Sequence, residues 1–106
     1  MTHKFPHLCS PITIAGRTFS NRMFSAPMGG TDITNDGCIG PKSTAFYELR
    51  AKGGAALVNV GEAVAHGATG PDHPSMVILD NPTAVPSMYD LVSTIHKYGA
   101  YASIEF

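Results

Sequence analysis

The segment Pro27-Met28-Gly29-Gly30 is the strongest candidate for ligand contact in the sequence. It follows a short apolar run, residues 23–26, whose composition predicts a strand. Proline removes a backbone N–H and fixes φ, whereas glycine has no side chain to keep the backbone away from a flat ligand. A strand that stops in such a turn can present its backbone to a ligand. An ordinary β-turn is the alternative interpretation.

Two carboxylates, Glu62 and Glu105, stand at or just beyond the ends of two further apolar runs, residues 56–60 and 101–106. Alternation along the last run puts Ser103 and Glu105 on one face of the strand. An ionised carboxylate accepts hydrogen bonds from ligand N–H groups, and a protonated one can also donate. The alternatives are that Glu105 is an exposed side chain at a strand end and that Glu62 caps its loop.

No metal site is predicted. His3, His7 and Cys9 are close in sequence, but they form no strong ligand motif and have no fourth ligand nearby, so a polar chain terminus is the preferred interpretation. The other three histidines match no motif and receive no predicted role: His66, His73 and His96.

The order of apolar runs and turn signals predicts a β-hairpin followed by strand-helix-strand-helix-strand. We expect the hairpin over about residues 11–20 and three parallel strands at about residues 23–26, 56–60 and 101–106. Functional groups of such α/β folds collect at the carboxyl ends of the strands. The candidate residues all fall there: Pro27, Met28, Gly29, Glu62 and Glu105.

Two helices should pack on this sheet. The first is predicted over about residues 41–53, with Phe46 and Leu49 facing the core, and the second over about residues 84–98. Apolar residues recur at helical spacing along the second helix: Val85, Met88, Leu91, Val92 and Ile95. The connection between residues 61 and 82 is rich in glycine and proline, which indicates an irregular loop.

These segments resemble, in order, the N-terminal portion of the old yellow enzyme family. The resemblance rests on the hairpin at 11–19, Asn-Arg-Met-Phe-Ser-Ala-Pro-Met-Gly-Gly at 21–30, Phe-Tyr-Glu-Leu-Arg-Ala-Lys-Gly-Gly at 46–54 and the run 95–106. It implies an α/β fold: the N-terminal part of a (β/α)8 TIM barrel, one partial FMN-binding domain over residues 1–106, with the hairpin as a lid on the barrel floor. A whole barrel needs about 250 residues, so the chain is expected to be a segment of a longer protein.

The resemblance also implies a flavin site. Pro27, Met28 and Gly29 match the turn that lines the flavin ring in this family, although many relatives carry Thr or Cys where this chain has Gly29. Glu105 stands where many relatives have a Gln that bonds the flavin pyrimidine, and Glu62 matches a place usually taken by a small residue facing the flavin. The pattern at Tyr47, Glu48 and Arg50 looks like the family's solvated helix face, for which no chemical role is expected.

The family's reaction is hydride transfer from NAD(P)H through FMN to an activated alkene, here of the enoate or dienoyl type shared by the most similar subgroup. Residues that hold the substrate or supply a proton lie further along the chain in relatives, so no catalytic residue is predicted here. An iron–sulfur cluster and FAD are expected only in a further C-terminal part. The alternative is a non-catalytic truncated remnant, or a small self-associating module derived from this fold.

Composition excludes several other partners. The 106-residue chain has a formal net charge of −1 and no basic run, which argues against nucleic acid and anionic membranes. No apolar run approaches the ~18 residues of a membrane span, and residues 1–6 lack the apolar core of a signal peptide. A cytoplasmic protein with a small-molecule substrate is therefore expected, with homo-oligomer formation left open.

Overall fold

The computed structural model describes residues 3–106 as a hairpin followed by a small α/β unit. In chain order, the elements are β1 (Ile12–Ile14), β2 (Arg17–Phe19), β3 (Phe24–Met28), α1 (Pro41–Lys52), β4 (Leu57–Val60), β5 (Ala63–Val64), β6 (Val77–Ile78), a 3₁₀ turn (Pro82–Ala84), α2 (Val85–His96) and β7 (Tyr101–Ile104).

The hairpin covers the amino end of the main sheet. β1 and β2 pair antiparallel around Ala15 and Gly16, whose φ angles of 49° and 76° suit a tight two-residue turn. The Phe19 ring lies 4.9 Å, centroid to centroid, from the rings of both Phe24 and Tyr101, the first residues of β3 and β7. Aromatic packing therefore attaches the hairpin to the sheet at the end away from the predicted site.

The main sheet is parallel, with strand order β3-β4-β7. Within residues 3–106, β3 and β7 each pair only with β4, so the sheet is open at both edges. Phe24, Leu57 and Tyr101 form one row across the sheet, and Asn59 pairs with Ser103 further along. This is a partial α/β architecture with three consecutive strands of a parallel sheet.

Both helices pack on one face of the sheet, where Val58 and Val60 are buried against Leu91 and Ile95. The buried residues of α1 are Ser43, Tyr47 and Ala51, spaced four apart so that they share one helix face. The predicted core role of Leu49 is wrong, because its side chain is 66% exposed.

Four further differences separate the fold from its prediction. Val85 begins α2 and is 60% exposed instead of joining the apolar stripe. β7 ends at Ile104, two residues earlier than predicted, and β3 continues through Met28, two residues later. The connection predicted as irregular holds the short parallel pair β5–β6, where Ala63 pairs with Val77.

Candidate functional site

A concavity of about 350 Å³ lies at the carboxyl ends of the parallel strands. Its lining contains all five residues predicted from the sequence: Pro27, Met28, Gly29, Glu62 and Glu105. Gly61, Ala63, Met76 and Phe106 complete it. The ends of β3, β4 and β7 thus bring together residues that are up to 79 positions apart in sequence (106 − 27), Pro27 and Phe106.

One side of the concavity is formed by the end of β3. The β3–β4 register shifts between Ser25 and Met28, and Pro27, which cannot donate a backbone hydrogen bond, lies within the shift. Gly61 packs closely there, because a Cβ built on it would lie 3.0 Å from the Pro27 Cβ and 3.3 Å from the Met28 nitrogen. The ends of β3 and β4 therefore lie so close together that a side chain at position 61 would crowd Pro27 and Met28.

The Tyr47 hydroxyl holds these two strand ends from the helix side. It lies within hydrogen-bonding distance of the carbonyl oxygens of Met28 and Gly61, 2.8 Å from the latter, and donates its one proton to this pair of acceptors. Burial raises the pKa of Tyr47 above its ordinary value, which keeps the hydroxyl protonated. The predicted solvated role of Tyr47 is wrong: the residue is 1% exposed and positions the site.

Tyr47 could have been found from its spacing. Ser43, Tyr47 and Ala51 recur at intervals of four, so a helix over this region places a large side chain between two small ones on a single face. Phe46 packs against the core as predicted, but the choice of Leu49 beside it left Tyr47 on the face predicted to be solvated. A tyrosine whose hydroxyl finds hydrogen-bond partners can be as buried as a leucine.

The turn after β3 is anchored to the start of α1 by Asp32. Its carboxylate accepts hydrogen bonds from the backbone N–H of Lys42 (2.9 Å), the backbone N–H of Ser43 (2.7 Å) and the Ser43 hydroxyl (2.5 Å). Burial raises the pKa of Asp32, but the hydrogen bonds from Ser43 and Lys42 outweigh it, and the net pKa is lowered. Asp32 thus caps α1 from a distance, since Gly40 at the cap position has no side chain to do so.

On the sheet face away from the helices, a polar chain crosses all three strands. The Ser103 hydroxyl donates to Oδ1 of Asn59, and Nδ2 of Asn59 donates to the Ser25 carbonyl oxygen at 2.9 Å. Ala102 and Ile104 pack on the opposite side, against the core under the helices. Ser103 therefore points to the face that would be the barrel interior.

Glu105 is fixed by its backbone. Its N–H donates to the Val60 carbonyl oxygen (2.9 Å), and its own carbonyl accepts from the Ala63 N–H (3.1 Å). The side chain is exposed at the mouth of the concavity. The predicted placement at the strand end therefore holds in geometry, one residue beyond the last residue of β7.

Glu62 has a partner that sequence reasoning did not identify. His73 lies eleven residues further on (73 − 62), and its Nε2 atom is within hydrogen-bonding distance of Glu62 Oε1. Asp72 Oδ1 is 3.7 Å from the same ring nitrogen. No periodicity links Glu62 to His73, because an irregular loop brings them together.

The residues present fit a flat aromatic cofactor. The volume of about 350 Å³ falls within the range of about 300–1,000 Å³ typical of small-molecule sites. The turn presents its backbone without obstruction, because a Cβ built on Gly29 would make only ordinary contacts, at 3.9 Å. Two carboxylates at the rim can accept hydrogen bonds from ring N–H groups.

The chain belongs to the NADH:flavin oxidoreductase / NADH oxidase family, which it matches over residues 7–106. It is 28% identical over 100 residues to the NADH oxidase of Thermoanaerobacter brockii, an alignment that covers 94% of this chain and 15% of that protein. The predicted membership of the old yellow enzyme family is confirmed.

Solved structures share the fold. A 2-naphthoyl-CoA reductase in complex with 2-naphthoyl-CoA superposes with a TM-score of 0.84 at 25% identity, covering 94% of this chain and 15% of that one. The old yellow enzyme of Pichia sp. AKU4542 gives 0.83 at 19% identity, covering 92% and 25%. Morphinone reductase in complex with tetrahydroNAD gives 0.79 at 21% identity, covering 93% and 26%.

These comparisons confirm the predicted fold class, the N-terminal part of a (β/α)8 barrel. The chain spans about 15% of the length of the curated relative and 15 to 26% of these three structures. Within residues 3–106, no helix has the length and apolarity needed to cross a membrane.

Proposed function

We propose that the concavity binds FMN, and that the protein carrying this chain transfers hydride from NAD(P)H to an activated alkene of the enoate or dienoyl type. The observation that supports this most is the convergence of Pro27, Met28, Gly29, Glu62 and Glu105 on one cavity. That cavity lies where parallel α/β folds place their sites. Membership of a flavin oxidoreductase family agrees with the proposal.

The turn from Pro27 to Gly29 and the carboxylate of Glu105 each have a role in flavin binding that suits their chemistry. The turn from Pro27 to Gly29 offers a flat backbone surface for the flavin ring, and Glu105 offers carboxylate oxygens to the N–H of its pyrimidine part. Bound FMN would carry the hydride between NAD(P)H and the alkene, and the protein's part is to bind and orient it. Tyr47 fixes the turn from outside the cavity through the carbonyl oxygens of Met28 and Gly61.

A cytoplasmic location is part of the proposal. Cys9 and Cys38 are both free, which suits a reducing compartment.

A second candidate is a non-catalytic, self-associating module. It is favoured by the two open edges of the sheet, since unpaired strand edges among the described residues can pair with another copy. Phe24 and Phe106 are 44% and 79% exposed, which adds apolar surface near those edges. This candidate predicts concentration-dependent association without bound flavin.

The test is to express the complete reading frame, release any bound cofactor by denaturation and identify it by absorbance and mass. We expect stoichiometric FMN and oxidation of NADH or NADPH that depends on an enoate or a dienoyl thioester. Glu105→Leu should weaken FMN binding about tenfold or more, the loss of one good hydrogen bond to a charged group. Glu105→Gln should keep the affinity, since an amide both accepts and donates.

Glu48→Gln is the matched control, because Glu48 in α1 accepts from the hydroxyl of Tyr98, just after α2, outside the cavity. Its FMN affinity should equal that of the wild type. A flavin-free protein that associates in solution would reject the oxidoreductase proposal in favour of the module. If Glu105→Leu leaves FMN binding unaffected, FMN does not contact Glu105, and the proposed site is wrong.

A further inference from the structure

The pair Glu62–His73 has a defined proton arrangement. The backbone N–H of Ser75 donates to Nδ1 of His73 at 3.3 Å, so Nδ1 acts as the acceptor in this geometry. In the neutral imidazole the proton is then on Nε2, the atom that faces Glu62 Oε1. His73 therefore donates to the Glu62 carboxylate, and the loop around Ser75 selects this tautomer.

The carboxylate held in this way lies beside the turn proposed to meet the cofactor. The nearest heavy atoms to a Cβ built on Gly29 are Glu62 Oε1 and the Gly61 carbonyl oxygen, each at 3.9 Å. Since Gly29 has no side chain, Glu62 provides the polar side-chain group next to this part of the cavity lining. His73 does not line the cavity and can act there only through Glu62.

We propose that His73 is a positioning residue that fixes the Glu62 carboxylate over the Gly29 turn, so that a negative charge beside the bound flavin lowers its reduction potential. The inference rests on the proposed function. A carboxylate disfavours the addition of electrons to a neighbouring ring through Coulomb repulsion. Because the Glu62 side chain is 51% exposed, it would otherwise move freely into water.

The test is a redox titration of the FMN-loaded, full-length protein and four single variants. Glu62→Gln removes the charge, and His73→Leu removes the donor that holds it, so both should shift the midpoint potential upward. His73→Gln should keep the wild-type potential, because the glutamine amide N–H can replace Nε2–H. Asp72→Asn should also keep it, since Asp72 is 81% exposed and its 3.7 Å separation from Nε2 is too long for a hydrogen bond.

The double variant Glu62→Gln/His73→Leu should shift the potential no further than Glu62→Gln alone, because His73 acts through Glu62. Additive shifts would overturn the positioning role. In parallel, ¹⁵N-histidine NMR of the wild type should show a proton on Nε2 of His73 and none on Nδ1. A proton on Nδ1 would contradict the proposed hydrogen bonds, whatever the flavin does.

These readouts separate the two proposals. If FMN binds and the potential does not change in Glu62→Gln, the inference fails while the flavin proposal stands. If the protein binds no FMN, the proposed function fails and the inference fails with it. If the potential rises in both Glu62→Gln and His73→Leu and is retained in His73→Gln, the inference is supported.

Discussion

Gly29 and Gly30 are adjacent in the turn, yet their surroundings leave different room for a side chain. A Cβ on Gly29 would have no neighbour closer than 3.9 Å, whereas one on Gly30 would lie 2.9 Å from Ile33 Cδ1 and from Ser43 Cβ. Gly29→Ala should therefore change the free energy of unfolding by less than about 0.5 kcal/mol. Gly30→Ala should reduce it by about 1–3 kcal/mol through overpacking.

Urea unfolding of both variants checks this expectation. Equal losses of stability in Gly29→Ala and Gly30→Ala would show that the turn does not have the described contacts.

The Tyr47 hydroxyl connects α1 to the candidate site. Tyr47→Phe leaves the carbonyl oxygens of Met28 and Gly61 without this donor, so the free energy of unfolding should fall by about 1–3 kcal/mol. FMN affinity should fall as well, because both carbonyls belong to residues that line the cavity. Chemical denaturation and flavin titration measure the two effects.

Tyr98→Phe is the control for Tyr47→Phe. It removes a hydroxyl that donates to Glu48 at 2.7 Å, outside the cavity. It should leave FMN affinity unchanged. Loss of affinity in both variants would mean that Tyr47 acts only through general stability.

The places of the site residues were predictable where strand ends determine them. They were not predictable where an irregular loop or a buried tyrosine hydroxyl determines them. The site residues lie at or just beyond strand ends, so the parallel topology alone brings them to one end of the sheet: Pro27, Met28, Gly29, Glu62 and Glu105. Their role in binding flavin stays a proposal. His73 reaches Glu62 through a loop without periodicity, and Tyr47 was assigned to the wrong helix face.

At the scale of elements, α1 depends on a cap supplied from the preceding loop. Asp32→Ala removes the carboxylate that accepts from Lys42 N–H, Ser43 N–H and the Ser43 hydroxyl, and it should reduce stability by about 0.5–2 kcal/mol. Asp32→Asn should lose less, because its amide oxygen still accepts. Thermal or urea unfolding at pH 7 separates the two.

The effect of Asp32→Ala should also shrink as the pH is lowered toward 2, since the wild-type carboxyl becomes protonated there and loses its charge. A loss that is the same at pH 7 and pH 2 would show that the charged cap contributes nothing to α1.

Element order was predictable because glycine, proline and alternating apolar residues mark turns and strands. The ends moved by two residues at β3 and β7. At β3 the proline that was taken as a stop is accommodated in a register shift next to Gly61. Pro27 has no partner in the β3–β4 register, so its missing N–H costs no hydrogen bond in that ladder.

At the scale of the whole molecule, stability should fall at both ends of the pH range. The lowered pKa of Asp32 means that its contribution is present above its unfolded value of 3.8 and is lost as the pH falls through the folded pKa. The raised pKa of Tyr47 gives the opposite sign, since that contribution is present below pH 10.0 and is lost as the pH rises through the folded pKa.

Urea unfolding from pH 2 to pH 11.5 should trace both limbs. Asp32→Asn should flatten the acid limb and Tyr47→Phe the alkaline limb. Tyr98 also has a raised pKa, because its hydroxyl bonds Glu48, so Tyr98→Phe is needed to assign the alkaline limb to Tyr47. If Tyr47→Phe leaves the loss of stability at high pH unchanged, another group causes that loss.

The fold class was predictable at this scale because the motifs occur in family order along the chain, and the match over residues 7–106 confirms the family. The substrate was not predictable. The cavity-lining residues would face the proposed cofactor, so they carry no information on the substrate.

The contacts of the Tyr47 hydroxyl with the Met28 and Gly61 carbonyl oxygens have a consequence for the order of folding. Its two acceptors are 19 and 14 residues away in sequence, whereas Glu105 joins Val60 and Ala63 across 45 and 42 residues. Short loops close at lower entropic cost and faster than long ones. We therefore expect β3, α1 and β4 to form an early folding unit that already holds Pro27 and Met28 of the cavity lining. Pulse-labelling hydrogen exchange should protect the Ala56 amide, which bonds the Met23 carbonyl oxygen, before that of Glu105, which bonds the Val60 carbonyl oxygen. The β3–β4 side of the cavity would then form before β7 is added.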